Sequence, residues 1–331
     1  MVYDCFSFFN ELDLLEIRLN TLDKVVDKFI LVESTLTHTG NHKPLYYKVN
    51  KDRFSQFSDR IIHIVVDDFP SFPEATPREM AWIRENWQRN AIMRGIPKDA
   101  NDDDYLIISD LDEIPKPEAV KKAMLHDGVS HLFLSMFYYF VNYKNFYDPI
   151  WTRGPQILPL KCFRLSISPD MLIFPIDPRA NNGTTPSVIR FLKPSHIIKN
   201  AGWHFSCCGG ISAVKAKYLA VAPHSEVEAT TNNAIEETTI ATAIKKGIGI
   251  HSLFDRFFAV NINYKYPHFL VENKDRFSNL IFPTTFSYTI HSLPPKIIVQ
   301  LKRVVISTLR RILPRNVKDY LYHAFIENLL S

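Results

Sequence analysis

The chain has 331 residues, enough for one large domain or two small ones, and its 46% hydrophobic and 22% charged content is that of an ordinary globular protein. A formal charge of +4 is too small to suggest a nucleic-acid-binding surface. Glycine is scarce, at 10 residues, and neither GxGxxG nor a P-loop motif occurs, so a glycine-rich nucleotide loop is excluded.

The first strand is predicted over Val2 to Phe6. A helix follows from Asn10, with apolar residues at 12, 15, 19 and 22 on one face and Asn10 as its N-cap. Lys28 to Glu33 reads as a second strand ending on an acid, and Arg60 to Val66 as a third. Arg78 to Gly95 reads as a helix carrying Trp82, Trp87 and Gln88-Arg89-Asn90, closed by Gly95. Tyr105 to Ser109 is a short apolar strand, and Lys116 to His126 a helix opened by prolines. Alternating strands and helices predict an α/β fold with a mostly parallel sheet flanked by helices.

Beyond this point the pattern loosens. His131 to Tyr139 is predicted as one aromatic strand, residues 142–200 as short strands and loops, and 201–210 as a turn-rich patch. Ala229 to Lys246 is predicted helical. From Pro294, Lys296, Arg303, Arg310 and Arg311 recur opposite Ile297, Leu301, Val305 and Leu309, which predicts a basic amphipathic helix broken at Pro314, then a second one from Val317 to Leu330. This tail either packs on the main domain or adsorbs to an anionic membrane surface. The expected division is residues 1–290 as the main domain and 291–331 as the helical appendage.

The chemistry concentrates after the fourth strand, at Asp110-Leu111-Asp112-Glu113. Ligands of open α/β sheets bind at the carboxyl ends of the strands. Two carboxylates there repel each other unless a cation lies between them, and oxygen ligands suit Mg²⁺ or Mn²⁺ arriving with a diphosphate. Glu33 ends the second strand and is expected to accept hydrogen bonds from a ribose or base, with Asn10 and Glu11 lining the same pocket. Arg89 suits a diphosphate because its fork binds two oxygens, whereas Arg84 is expected in surface ion pairs. His204 is a third metal ligand only if the fold brings it to Asp112, and otherwise a structural histidine. Trp203 either stacks on a sugar or fills the core. Glu226 and Glu228 precede a helix; either is a base for an acceptor hydroxyl, or both are first-turn acids complementing the helix dipole.

The four cysteines, Cys5, Cys162, Cys207 and Cys208, contain no CxxC pair and read as reduced thiols. The chain opens on strand residues, with no basic-then-apolar leader, and no apolar run is long enough for a transmembrane helix, so a cytoplasmic protein is expected, held at most peripherally at the membrane.

Six ordered segments resemble glycosyltransferase family 17. They are Asp4 to Asn20, Val26 to Glu33, Thr37 to Gly40 with Lys43 to Leu45, Gln88 to Asn90, Ser109 to Pro115, and Ala201 to Ser206, with an echo at His224 to Glu226. The resemblance implies a GT-A-like fold and an inverting transfer of N-acetylglucosamine from a UDP-sugar donor to a glycan or lipid-linked oligosaccharide acceptor. Asp110 and Asp112 become the Asp-x-Asp pair that holds Mn²⁺ or Mg²⁺, with Glu226 as the base. The missing leader points to a cytosolic enzyme building a bacterial or viral surface glycan. Two rivals remain at this stage. A nucleotidyltransferase would carry a glycine-rich loop after the first strand, where this chain has Phe6 to Glu11. A non-catalytic glycan-binding protein would have no need of Glu33, Asp110 and Asp112.

Overall fold

The computed structural model describes residues 1–166, 194–223, 235–250 and 255–283. The appendage expected over 291–331, the domain boundary at 290 and Glu226 and Glu228 lie outside the described residues.

β1 (Val2–Phe8), β2 (Lys28–Ser34) and β3 (Ile61–Val66) are joined through α1 (Leu12–Leu22) and α2 (Tyr46–Val49). α3 (Pro77–Asn90) then leads to β4 (Tyr105–Asp110), which turns through Leu111 and Asp112 into β5 (Glu113–Pro115). α4 (Pro117–Ala123), β6 (Ser130–Leu132), β7 (Leu134–Tyr138), β8 (Tyr143–Asn145), β9 (Ile150–Trp151), β10 (Gln156–Pro159) and α5 (Leu160–Ser166) follow. The remaining described elements are β11 (His196–Ile198), β12 (Gly202–Ser206), α6 (Gly210–Ala220), α7 (Glu237–Lys246), β13 (Phe257–Ala259) and α8 (His268–Glu272).

The strands form two sheets. The main one runs β11-β6-β10-β4-β1-β2-β3, and the other β13-β8-β7-β12-β5, with β9 on β7. β4, β1, β2 and β3 are mutually parallel, while β10 is antiparallel to both its neighbours. Parallel strands are covered on both faces and so read as continuous apolar runs. Phe29, Ile30, Leu31 and Val32 of β2, each with no exposed surface, are such a run. Phe6, Leu31 and Ile107 pack on one side with α1, and Cys5, Val32 and Ile108 on the other with Ala91 and Ile92.

Several local expectations change. α1 has Glu11, not Asn10, at its N-cap, and no side chain caps it. The expected helix 78–95 is α3 followed by a 3-10 turn, Ala91–Gly95. Its start is fixed by Thr76 and Glu79, which form a reciprocal capping box ahead of Pro77. Gly95 serves close approach: a Cβ there would meet Ile30 Cγ2 at 2.5 Å. The single strand expected over 131–139 is two, in different sheets, parted at Phe133. The patch expected at 201–210 holds a full strand, β12, paired with β7 and β5. The helix expected from 229 is described only from Glu237.

Candidate functional site

Strand register brings the predicted acids to one edge. Ser7 pairs with Asp110 across β1 and β4, and Phe8 with Glu33 across β1 and β2, so all lie at the carboxyl end of the parallel strands. Asp112 sits on the short link from the main sheet into the second one. Its carbonyl accepts the Phe205 N–H at 2.8 Å, which locks the link to β12.

Arg18 fixes this link from below. Its side chain is fully buried and forms a two-pronged pair with Asp4, Nε to Oδ2 at 2.8 Å and Nη2 to Oδ1 at 2.6 Å. Nη2 also donates to Ser109 Oγ at 2.6 Å. Nη1 donates to the carbonyls of Asp110, Leu111 and Glu113 at 2.9, 3.1 and 2.9 Å. One guanidinium thus satisfies backbone acceptors that the turn cannot pair by itself.

Above the link opens a cavity of about 550 Å³, within the range of small-ligand sites. Glu11, Arg89, Asp110, Asp112 and His204 line it. Arg89 lies between Glu85 and Asp110, 3.0 Å from each. Asp112 Oδ2 accepts from Lys217 Nζ at 2.6 Å, and His204 Nε2 lies 3.5 Å from its Oδ1. Lys217 also reaches Glu11 at 3.3 Å. Burial pushes the Asp112 carboxyl pKa upward, but Lys217 and His204 outweigh it and hold the group well below the usual carboxylate range. Burial likewise acts to lower the Lys217 pKa, and Asp112 and Glu11 override it, so the ammonium stays charged.

Three predicted pocket residues are placed elsewhere. Asn10 is not among the cavity-lining residues. Glu33 is fully buried beside the pocket, where it accepts the Tyr47 N–H at 2.9 Å and meets His63 Nε2 at 3.0 Å. It thus anchors α2 instead of facing a ribose. Trp203 is in the core, its ring parallel to that of Phe205 at 6.4 Å, with Lys116 over it at 5.5 Å. Strand alternation explains the split: along β12, His204 and Ser206 line the cavity, so Trp203 and Phe205 face away from it. Arg84 also departs from expectation, donating to the His38 carbonyl at 2.9 Å.

The residues missed in sequence are informative. Lys217 follows no motif; its only signal is Gly209-Gly210, both at positive φ, which turn β12 back into α6 toward the acids. Lys43, Gln88, Tyr138, Trp151, Tyr218 and Asp255 also line the cavity. Gln88 Nε2 donates to the carbonyls of Phe8 and Val32 at 3.3 and 3.0 Å, bracing the ends of β1 and β2. The Tyr138 and Tyr218 hydroxyls are 2.6 Å apart, and the Trp151 ring lies 4.6 Å from that of His204.

A hard divalent cation fits the acids present. Such ions commonly bind through one or two carboxylates plus water and substrate phosphates. Asp110 and Asp112 are such a pair, and Asp112 already draws a cationic side chain into contact. Among the described residues no group of three or more His, Cys, Asp or Glu is placed to hold a metal ion by itself.

These features define an α/β protein with a charged ligand cleft at the carboxyl ends of its parallel strands. Residues 1–152 match the family model described as glycosyltransferase family 17. It is 30% identical over 132 residues to the rat β-1,4-mannosyl-glycoprotein 4-β-N-acetylglucosaminyltransferase. To the human protein of the same name it is 32% identical over 124 residues. These alignments cover 38% and 36% of this chain but only 24% and 22% of the relatives, so the chain matches under a quarter of their length. Arg18, Arg89, Asp110 and Asp112 fall inside the family segment, and His204 and Lys217 outside it.

Proposed function

We propose that this protein is a metal-dependent, inverting glycosyltransferase with a GT-A-like sheet, which transfers N-acetylglucosamine from UDP-N-acetylglucosamine to a hydroxyl of a glycan acceptor. The observation that carries this reading is the convergence of Asp110, Asp112 and Arg89 on one cavity at the carboxyl end of the parallel sheet, within the family 17 segment. The donor sugar is taken from the names of the relatives.

Asp110 and Asp112 would hold Mn²⁺ or Mg²⁺, which supplies Lewis-acid stabilisation of a departing diphosphate. Arg18 keeps the two carboxylates aimed by pinning the backbone beneath them. Arg89, steadied by Glu85, presents its fork beside Asp110 to donor phosphate oxygens. In a single displacement the acceptor oxygen bonds to the anomeric carbon from the face opposite UDP, and the anomeric C–O bond breaks with its electrons leaving on UDP. The hydroxyl proton passes to a carboxylate, for which the sequence offers Glu226. Tyr138, Trp151 and Tyr218 supply aromatic surface in the cavity for an acceptor sugar.

The test is a screen of UDP-sugars for metal-dependent UDP release, with and without glycan and lipid-linked oligosaccharide extracts. UDP-N-acetylglucosamine should be consumed fastest, and EDTA should stop the reaction. No UDP release from any donor, with no UDP binding by calorimetry, would reject the proposal.

A further inference from the structure

Among the described residues, Lys217 is the cavity lysine that forms ion pairs with two carboxylates from separate parts of the chain. Asp112 comes from the β4–β5 link, Glu11 from the loop between β1 and α1, and Lys217 from the last turn of α6. Its side chain is 22% exposed, whereas that of Asp112 is 6% exposed, so the ammonium lies on the open side of the acid. Around the cavity, Glu11, Glu85, Asp110, Asp112 and Asp255 stand against Lys43, Arg89 and Lys217, leaving the carboxylates in excess. That balance attracts a cation and repels a bare diphosphate.

A metal ion and an ammonium cannot both occupy the same carboxylate oxygen, because like charges at contact distance repel strongly. An ion that takes Oδ2 of Asp112 therefore displaces Lys217, whereas Oδ1 faces His204 Nε2 at 3.5 Å. Lysine carries a compact charge on a flexible four-carbon stem with three rotatable donors, which suits it to exchange one oxyanion for another. We propose that Lys217 is a diphosphate ligand that serves as the resident counter-ion of Asp112 until donor and metal enter together. This rests on the donor reading above and adds to it a residue outside the family segment. Lys217 thereby couples the two ligands: it competes with metal alone and contributes to the binding of nucleotide with metal.

The coupling makes two affinities move in opposite directions. Mn²⁺ binding without nucleotide is read by the EPR signal of the free ion, and UDP binding at saturating Mn²⁺ by calorimetry, for wild type, Lys217→Met and Lys217→Gln. Methionine keeps the apolar stem and glutamine keeps a polar tip, so either variant reads the loss of charge; melting curves verify the fold. Both should bind Mn²⁺ alone more tightly than wild type, and both should bind UDP at least about tenfold more weakly, as expected for loss of a charge-assisted hydrogen bond. Unchanged UDP affinity overturns the inference whatever the metal does. A parallel loss of both affinities also overturns it, since that marks a residue needed only for structure. Wild type that binds neither ligand sinks the donor reading and this inference with it; wild type that binds both while the variants match it sinks this inference alone.

Discussion

Replacing Arg18 by Met removes the charge while keeping most of the alkyl stem over Phe6, whose ring centre lies 4.6 Å from the guanidinium carbon. Asp4 is left fully buried without its ion-pair partner. Breaking a buried pair in this way costs about 3–5 kcal/mol, because one charge stays desolvated and uncompensated. The carbonyls of Asp110, Leu111 and Glu113 lose their donor as well, so the upper part of that range applies. At roughly 2–4 °C per kcal/mol for a domain of this size, the melting temperature should fall by roughly 10 °C or more. Differential scanning calorimetry checks this. Adding Asp4→Leu removes the stranded charge and should recover part of the loss, since an apolar pair often replaces a buried ion pair at little net cost. UDP affinity should stay depressed in the double variant, because the link carrying Asp110 and Asp112 is still unpinned. A melting point within about 2 °C of wild type in Arg18→Met would refute the clamp.

The other predictions concern the site and the tail. Asp112→Asn should abolish most metal-dependent UDP release with the fold retained, though the melting temperature should fall because the pair with Lys217 is lost; full activity in that variant, or in EDTA, would remove the metal from the mechanism. Arg89→Ala should weaken UDP binding by about 1.5–3 kcal/mol, the range for a hydrogen bond to a charged group, and unchanged affinity by calorimetry would reject Arg89 as a phosphate ligand. Burial lowers the pKa of His38 below its ordinary 6.5, against the pull of Glu85. The unfolded chain therefore binds the proton first, so stability is full above about pH 6.5 and is lost as pH falls below it. His38→Gln should flatten that fall in melting temperature between pH 7.5 and 5.5, and an unchanged slope would count against the assignment. Full-length protein should pellet with anionic vesicles at low salt and release at high salt, because each basic residue near an anionic leaflet contributes about 1 kcal/mol. If residues 293–331 are removed and pelleting persists, the tail is not the anchor.

Legibility in the sequence followed the physics of each element. β1, β2, β3 and β4 were plain because parallel strands buried on both faces leave unbroken apolar runs, and their alternation with helices implied the sheet. The acidic turn after β4 stood out by its context, a pair of carboxylates between a buried strand and a helix opened by proline. Glu33 looked equivalent to Asp110 by the same rule, and here the rule fell short. Its carboxylate is consumed by Tyr47 of α2 and His63 of β3, partners that no local pattern reveals.

Trp203 and His204 show a second kind of failure. Trp203 was left between sugar platform and core, and His204 between metal ligand and structural histidine, and a turn-rich reading of 201–210 could not divide the two. Once Gly202–Ser206 is a strand, adjacent residues must face opposite ways, and only one of the two can line the cavity. The same strand carries the chain past Asp112 and through Gly209 and Gly210 into α6, which delivers Lys217. The charge of the cleft is therefore set by two distant parts of the chain. The family segment supplies the acids and Arg89, while a helix beyond it supplies the ammonium that balances them. A substitution that preserves every acid of the Asp-x-Asp turn can still alter metal and donor binding, if it changes what α6 places against Asp112.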